Sequence, residues 1–84
     1  MISDECAGVG YILIAGDISG WGQISGPHTE NSISGCADRC NVESECCSFE
    51  YSTTENKCNL NRDCSPTSGV YNDYYFCVKG MYKM

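Results

Sequence analysis

The chain has 84 residues, with 5 Lys+Arg against 11 Asp+Glu, a formal charge of -6 and a pI near 4.4. That length makes a single domain, over residues 4–80, and buries too little apolar surface to be comfortably stable without covalent help. The acidic balance repels phosphate backbones and anionic headgroups, which sets nucleic acid and membrane surfaces aside as partners.

At the N-terminus Asp4 and Glu5 stand where a signal peptide needs basic residues and a long apolar run. No leader is read there, and Met1 stands in for a leader or a preceding domain. Between Gly8 and Gly26 six glycines punctuate short apolar pieces, the pattern of two short strands and tight turns rather than of a helix. Tyr11-Ile12-Leu13-Ile14-Ala15 is the longest apolar run, far short of the roughly 20 residues of a membrane helix. Bounded by Gly10 and Gly16, it reads as a buried strand. Ser25 to Asn31 is a loop by composition, broken by Gly26 and Pro27.

The one convincing helix follows. Asn31 or Ser32 caps it, and Ile33, Cys36, Ala37 and Cys40 recur at helical spacing on one face, with Asp38 and Arg39 off that face and Asn41 as the stop. From Cys47 to Ser52 apolar and polar residues alternate with period two, which predicts a strand covered on one side. Thr53 to Asn56 turns the chain, and Lys57 to Asn61 alternates again. The pair therefore forms an antiparallel hairpin, with Cys58 and Leu60 facing Phe49 and Tyr51 on the covered side. Asn61 to Asn72 is loop, and Tyr74-Tyr75-Phe76-Cys77-Val78 is a well-packed strand. The fold class is α+β: a small disulfide-rich domain with one helix packed across an antiparallel β-sheet.

Eight cysteines, at positions 6, 36, 40, 46, 47, 58, 64 and 77, make the strongest chemical statement. Such density belongs to small secreted domains, and an even count lets all of them pair. The expectation is an oxidising, extracellular setting and up to four disulfides. A zinc site would want paired Cys-x2-Cys knuckles, and neither Cys36-x3-Cys40 nor the adjacent Cys46-Cys47 supplies one. No cofactor or metal is expected. Calcium loops of the Asp-x-Asp kind are likewise absent from the sequence.

The stretch Cys36-x3-Cys40-x5-Cys46-x2-Phe49-x-Tyr51-x6-Cys58-x-Leu60 resembles the core of the PAN/apple domain family (plasminogen-apple-nematode module). Cys6 and Cys77 stand where that family has its first and last cysteines, so the likeness spans nearly the whole chain. The resemblance implies a hairpin-loop-like fold and bridges Cys6 to Cys77, Cys36 to Cys58 and Cys40 to Cys46. Cys47 and Cys64 have no counterpart in the six-cysteine pattern, and a fourth bridge between them is the economical extension. It also implies a non-catalytic module of adhesion, clotting or host attachment, binding a carbohydrate, as a lectin does, or a protein.

The residues are consistent with that class. His28, the single histidine, follows Pro27 with no nucleophile motif beside it, and the carboxylates Asp17, Asp38 and Glu43 are scattered without a catalytic pairing. Trp21, between Gly20 and Gly22, either shows its indole face to a ligand or plugs the end of the core. Asp17, Trp21, Gln23 and His28 lie in glycine-rich loops that suit a sugar site, and Tyr71 and Tyr74 belong to a second aromatic cluster. The alternative is a secreted disulfide-rich effector: a protease inhibitor using Arg62 as its anchor, or a structural matrix or adhesive component. Six tyrosines and a tryptophan leave room for a homo-oligomer face that nothing in the sequence positions.

Overall fold

The computed structural model describes residues 5–18, 22–67, 69 and 74–80. In chain order its elements are α1 (Glu5–Gly8), β1 (Tyr11–Ile14), β2 (Ser25–Thr29), α2 (Ile33–Val42), β3 (Ser48–Ser52), β4 (Lys57–Asn61) and β5 (Tyr74–Lys79). The strands form one antiparallel sheet in the order β1-β5-β3-β4-β2, so β3 lies at its centre.

The helix α2 forms where its caps and periodicity direct it. Ser32 is the N-cap, its backbone extended and its hydroxyl accepting the Gly35 N–H at 3.2 Å, which satisfies one of the free donors of the first turn. The helix runs past Asn41 to Val42, because the Glu43 N–H still reaches the Cys40 carbonyl. Cys36, Ala37 and Cys40 are buried against the sheet. The ladder of β3 and β4 pairs Phe49 with Leu60 and Tyr51 with Cys58, all four on the helix side. Tyr11 joins them from β1, its ring meeting Phe49 edge-on with centroids 4.8 Å apart. Burial, and then Asp38, pushes the Tyr11 phenol up to about 12, so it stays protonated and donates to Asn41 Oδ1 at 2.7 Å.

Four disulfides clamp this core: Cys6–Cys77, Cys36–Cys58, Cys40–Cys46 and Cys47–Cys64, with Cα separations of 5.4, 5.5, 5.3 and 5.1 Å. Each has a distinct task. Cys6–Cys77 ties α1 to β5, Cys36–Cys58 pins α2 to β4, Cys40–Cys46 closes the turn after α2, and Cys47–Cys64 holds the segment after β4 to the start of β3.

Three expectations from the sequence are corrected. The apolar run of β1 is an outer strand, with Ile12 48%, Leu13 39% and Ile14 36% exposed, because only β5 flanks it. Ser25 to Thr29, read as loop, is the strand at the opposite edge: it pairs with β4 through Ser25–Leu60, His28–Cys58 and Thr29–Lys57, with a register shift around Gly26 and Pro27. An edge position tolerates a proline that donates no ladder hydrogen bond. Finally, β3 is covered on both sides, with Ser48, Glu50 and Ser52 as buried as Phe49 and Tyr51. The four-residue α1 carries no sequence signal of its own beyond Glu5 in its first turn.

One turn depends on a missing side chain. Gly22 has φ +96°, and a Cβ there would strike the Ser25 carbonyl and lie 3.0 Å from the Leu60 carbonyl, both backbone atoms. This close approach lets the Ile24 N–H reach the Leu60 carbonyl at 2.9 Å and start β2. Gly22→Ala should therefore cost about 1–3 kcal/mol in urea denaturation. Gly69→Ala, with open space at its Cβ, should cost less than about 0.5 kcal/mol. Equal effects would remove this account of the turn.

Candidate functional site

The side of the sheet away from α2 is built from residues that the hairpin pattern assigns to solvent. Register places Phe76, Glu50 and Asn59 in one row across it, Val78, Ser48 and Asn61 in the next, and Tyr74, Ser52 and Lys57 in a third. The chain itself covers these rows. Gly16, at φ +134°, turns the strand β1 back over the sheet, and the next two residues, Asp17 and Ile18, lie buried beneath the surface. Ile18 packs on Phe76 and Val78, with Cys64 beside them.

Polar contacts fasten this strap. The Ile18 N–H donates to Glu50 Oε2 at 2.8 Å, the Thr67 N–H donates to the Asp17 carbonyl at 2.8 Å, and the carboxyls of Asp17 and Glu50 hydrogen-bond to each other. Glu50 is 1% exposed and Asp17 4%. Burial first, and then the Asp17 carboxyl, pushes the Glu50 carboxyl up to about 8, against the opposing pull of the Ile18 N–H and the Asn59 amide. The Glu50 carboxyl therefore keeps its proton to a higher pH than an exposed glutamate would.

Beside the pair, Asn59 Nδ2 donates weakly to Glu50 Oε1 at 3.5 Å, and Asn61 Oδ1 accepts from the Gln23 N–H at 3.3 Å. The remaining atoms of those amides, Asn59 Oδ1 and Asn61 Nδ2, are buried with no hydrogen-bond partner among the described residues. Ser48 and Ser52 are already engaged: Ser48 Oγ donates to the Asp63 carbonyl at 2.6 Å, and Ser52 Oγ accepts the Glu55 N–H at 3.1 Å.

The residues proposed from sequence fall in different places. Asp17 is buried in the strap. Gln23 is exposed, but its amide is spent within the fold: Oε1 accepts the N–H groups of Arg62 and Asp63 at 2.9 and 2.8 Å, and Nε2 donates to Asp63 Oδ2 at 3.0 Å. Its contacts zip the segment after the strap to the segment after β4. His28 pairs with Cys58 and so belongs to the helix side of the sheet, where its ring lies 2.9 Å from Ser25 Oγ, on the other side from Asp17. Tyr74 shares the strap side with Glu50, and its hydroxyl meets Glu55 Oε1 at 3.4 Å; burial, then Glu55, raises its phenol. Trp21 and Tyr71 lie outside the described residues. Arg62 is exposed with its guanidinium turned to Glu45 at 3.2 Å.

Glu50, Asn59 and Asn61 were not among the sequence candidates. The available signal was that the polar positions 48, 50, 52, 57, 59 and 61 carry Ser and Asn with two charges, Glu50 and Lys57, fewer than the Lys- and Glu-rich face of a solvated hairpin. Among the described residues no group of three His, Cys, Asp or Glu side chains converges as a metal site, and no helix is long and apolar enough to cross a membrane.

A family model described as PAN domain matches residues 10–79. The chain belongs to the PAN domain family. No curated protein and no solved structure gives a significant match. PAN domains are generally non-catalytic modules that bind proteins or carbohydrates. The match takes in β1 through β5 and six of the cysteines lying between Cys36 and Cys64, while Cys77 brings in the last strand. The α+β arrangement of one ten-residue helix over an antiparallel sheet is that of a PAN domain.

Proposed function

We propose that this PAN domain is a recognition and adhesion module working outside the cell, without catalytic activity, and that its ligand is a glycan or a protein. The observation that carries the reading is the division of labour in the fold. Disulfides fasten α1 and α2 to the sheet, and the described parts of the two long connecting segments are joined to each other over the opposite face by Gln23 to Arg62 and Asp63 and by Thr67 to Asp17. Recognition modules place their ligand contacts on such scaffold-held loops. By sequence those connecting segments also bear Trp21 and Tyr71, the aromatic residues we assign to the ligand face. Asp17 and Gln23 serve that face by holding its loops rather than by touching the ligand.

All eight cysteines are bridged, which leaves no thiol for nucleophilic or metal chemistry. The inhibitor alternative weakens, since the Arg62 side chain is drawn to Glu45 and its backbone N–H to Gln23.

The test is a glycan array and a panel of purified extracellular proteins probed with the oxidised domain. Binding is expected, and Trp21→Ala should weaken it at least about tenfold, or by about 1.4 kcal/mol, with Tm unchanged. Silence on both panels, or full binding by Trp21→Ala, would remove the proposal.

A further inference from the structure

We propose that the strap of residues 15–18 is a proton-operated latch: it is held on the sheet while the buried Glu50 carboxyl beside Asp17 is protonated, and released when Glu50 ionises. The latch rests on the functional reading above only for its consequence, the presentation of the ligand-facing loops; its operation is a property of the unliganded domain.

The geometry supplies both halves. Glu50 sits at the middle of the central strand, paired with Asn59 on one side and Phe76 on the other, and cannot move without opening the sheet. Asp17, an isolated bridge residue outside the five strands, lies on a short segment held to the rest of the fold by contacts that include the Ile18 N–H on Glu50, the Thr67 N–H on the Asp17 carbonyl, and the Ile18 side chain over Phe76 and Val78. Gly16, at φ +134°, is the pivot between this segment and β1. An ionised Glu50 stands beside the Asp17 carboxyl with almost no solvent to screen it, which disfavours the closed arrangement. When Glu50 loses its proton, the strap is the part that yields.

Among the described residues no ion pair joins a cation to Asp17 or Glu50. The groups facing the pair are Tyr74 from β5, with Glu55 of the hairpin turn against its hydroxyl, and the neutral amide of Asn59 from β4. Lys57 lies opposite Ser52, two residues along β4. Arg62 and Asp63, in the segment beside the strap, are tied to Glu45 and Gln23. On the other side of the sheet stand His28 and the ion pair between Arg39 and Glu30.

The sign follows from the proton. Glu50 releases it at about 8 in the fold, against a usual value of 4.5, so between those limits the folded chain holds a proton that the unfolded chain has lost. Stability contributed by the pair is complete below about pH 4.5, falls as pH rises through the window, and falls no further above about pH 8.

The experiment is an NMR titration of the oxidised domain without ligand from pH 5 to 9.5, following the Glu50 carboxyl carbon and the exchange protection of the Ile18 and Thr67 amides, corrected for intrinsic exchange. The expected result is a Glu50 midpoint above 7 and a loss of strap protection of at least about tenfold by pH 9, with the β3 and β5 amides unchanged. Glu50→Gln, which keeps the shape of the protonated acid, should retain strap protection across the range. Asp17→Asn provides the same test from the other partner should Glu50→Gln not fold. A Glu50 midpoint below pH 6, constant strap protection in the parent, or an unaltered pH response in the foldable variant would overturn the latch. Because no ligand is used, these outcomes are independent of whether the glycan and protein panels find one.

Discussion

Replacing Cys6 and Cys77 together with alanine should lower the stability of the oxidised domain by about 4 kcal/mol and its Tm by about 20 °C. The bridge closes a sequence separation of 71, the largest of the four, and so removes the most conformational freedom from the unfolded chain. It also holds the two ends of the chain to each other at a structurally critical place. β5 runs between β1 and β3, and this bond fastens α1 to it. The same replacement at Cys40 and Cys46, separated by 6, should cost about 2 kcal/mol. Urea denaturation of the two variants gives the comparison directly. If the short bridge proved the costlier to lose, closure of the long loop would not be the main source of stability.

Phe49→Ala should destabilise the domain by about 3–5 kcal/mol with every disulfide intact. The ring is wholly buried on the helix side of the central strand, opposite Leu60 and Cys77 and edge-on to Tyr11. Its removal leaves a void that the bridges on either side prevent from collapsing, since Cys58 and Cys77 are each fixed to a helix. Val42→Ala, at the exposed end of α2, should change stability by less than about 0.5 kcal/mol. Denaturation curves of the two oxidised variants, with equal m-values, test the pair. A Phe49→Ala cost below about 1 kcal/mol would show that the cross-links hold the fold without help from its core.

These effects reflect how a small domain divides its stabilisation. On the helix side, apolar packing and disulfides act on the same residues: Cys36, Cys40, Cys58 and Cys77 are core side chains as well as staples. On the strap side Ile18, Phe76 and Val78 pack with Cys64 of the Cys47–Cys64 bridge, and the buried Asp17 and Glu50 and backbone donors add to the attachment.

Much of this organisation is written in local patterns. The capped helix with its buried Cys36, Ala37 and Cys40, the Phe49–Leu60 and Tyr51–Cys58 pairs of the hairpin, and the strand at Tyr74 all follow from spacings of two, three or four residues, which nearby backbone geometry reads without reference to the rest of the chain. The spacing of the cysteines carried the family in the same way. Which strands lie side by side is not a local property. Tyr11 to Ile14 is as apolar as a central strand and lies at an edge, and Ser25 to Thr29 has the composition of a loop and is a strand, because vacancies along β5 and β4 were filled by whichever segments the chain could bring there. Glu50 shows the same limit in its chemistry. Alternation marks it as a solvent-facing residue, and only the return of Asp17 and Ile18 across the sheet, from 32 positions away in the case of Ile18, makes it a buried acid. Periodicity tells a side chain which way to point, whereas long-range contacts decide whether water or another carboxyl meets it there.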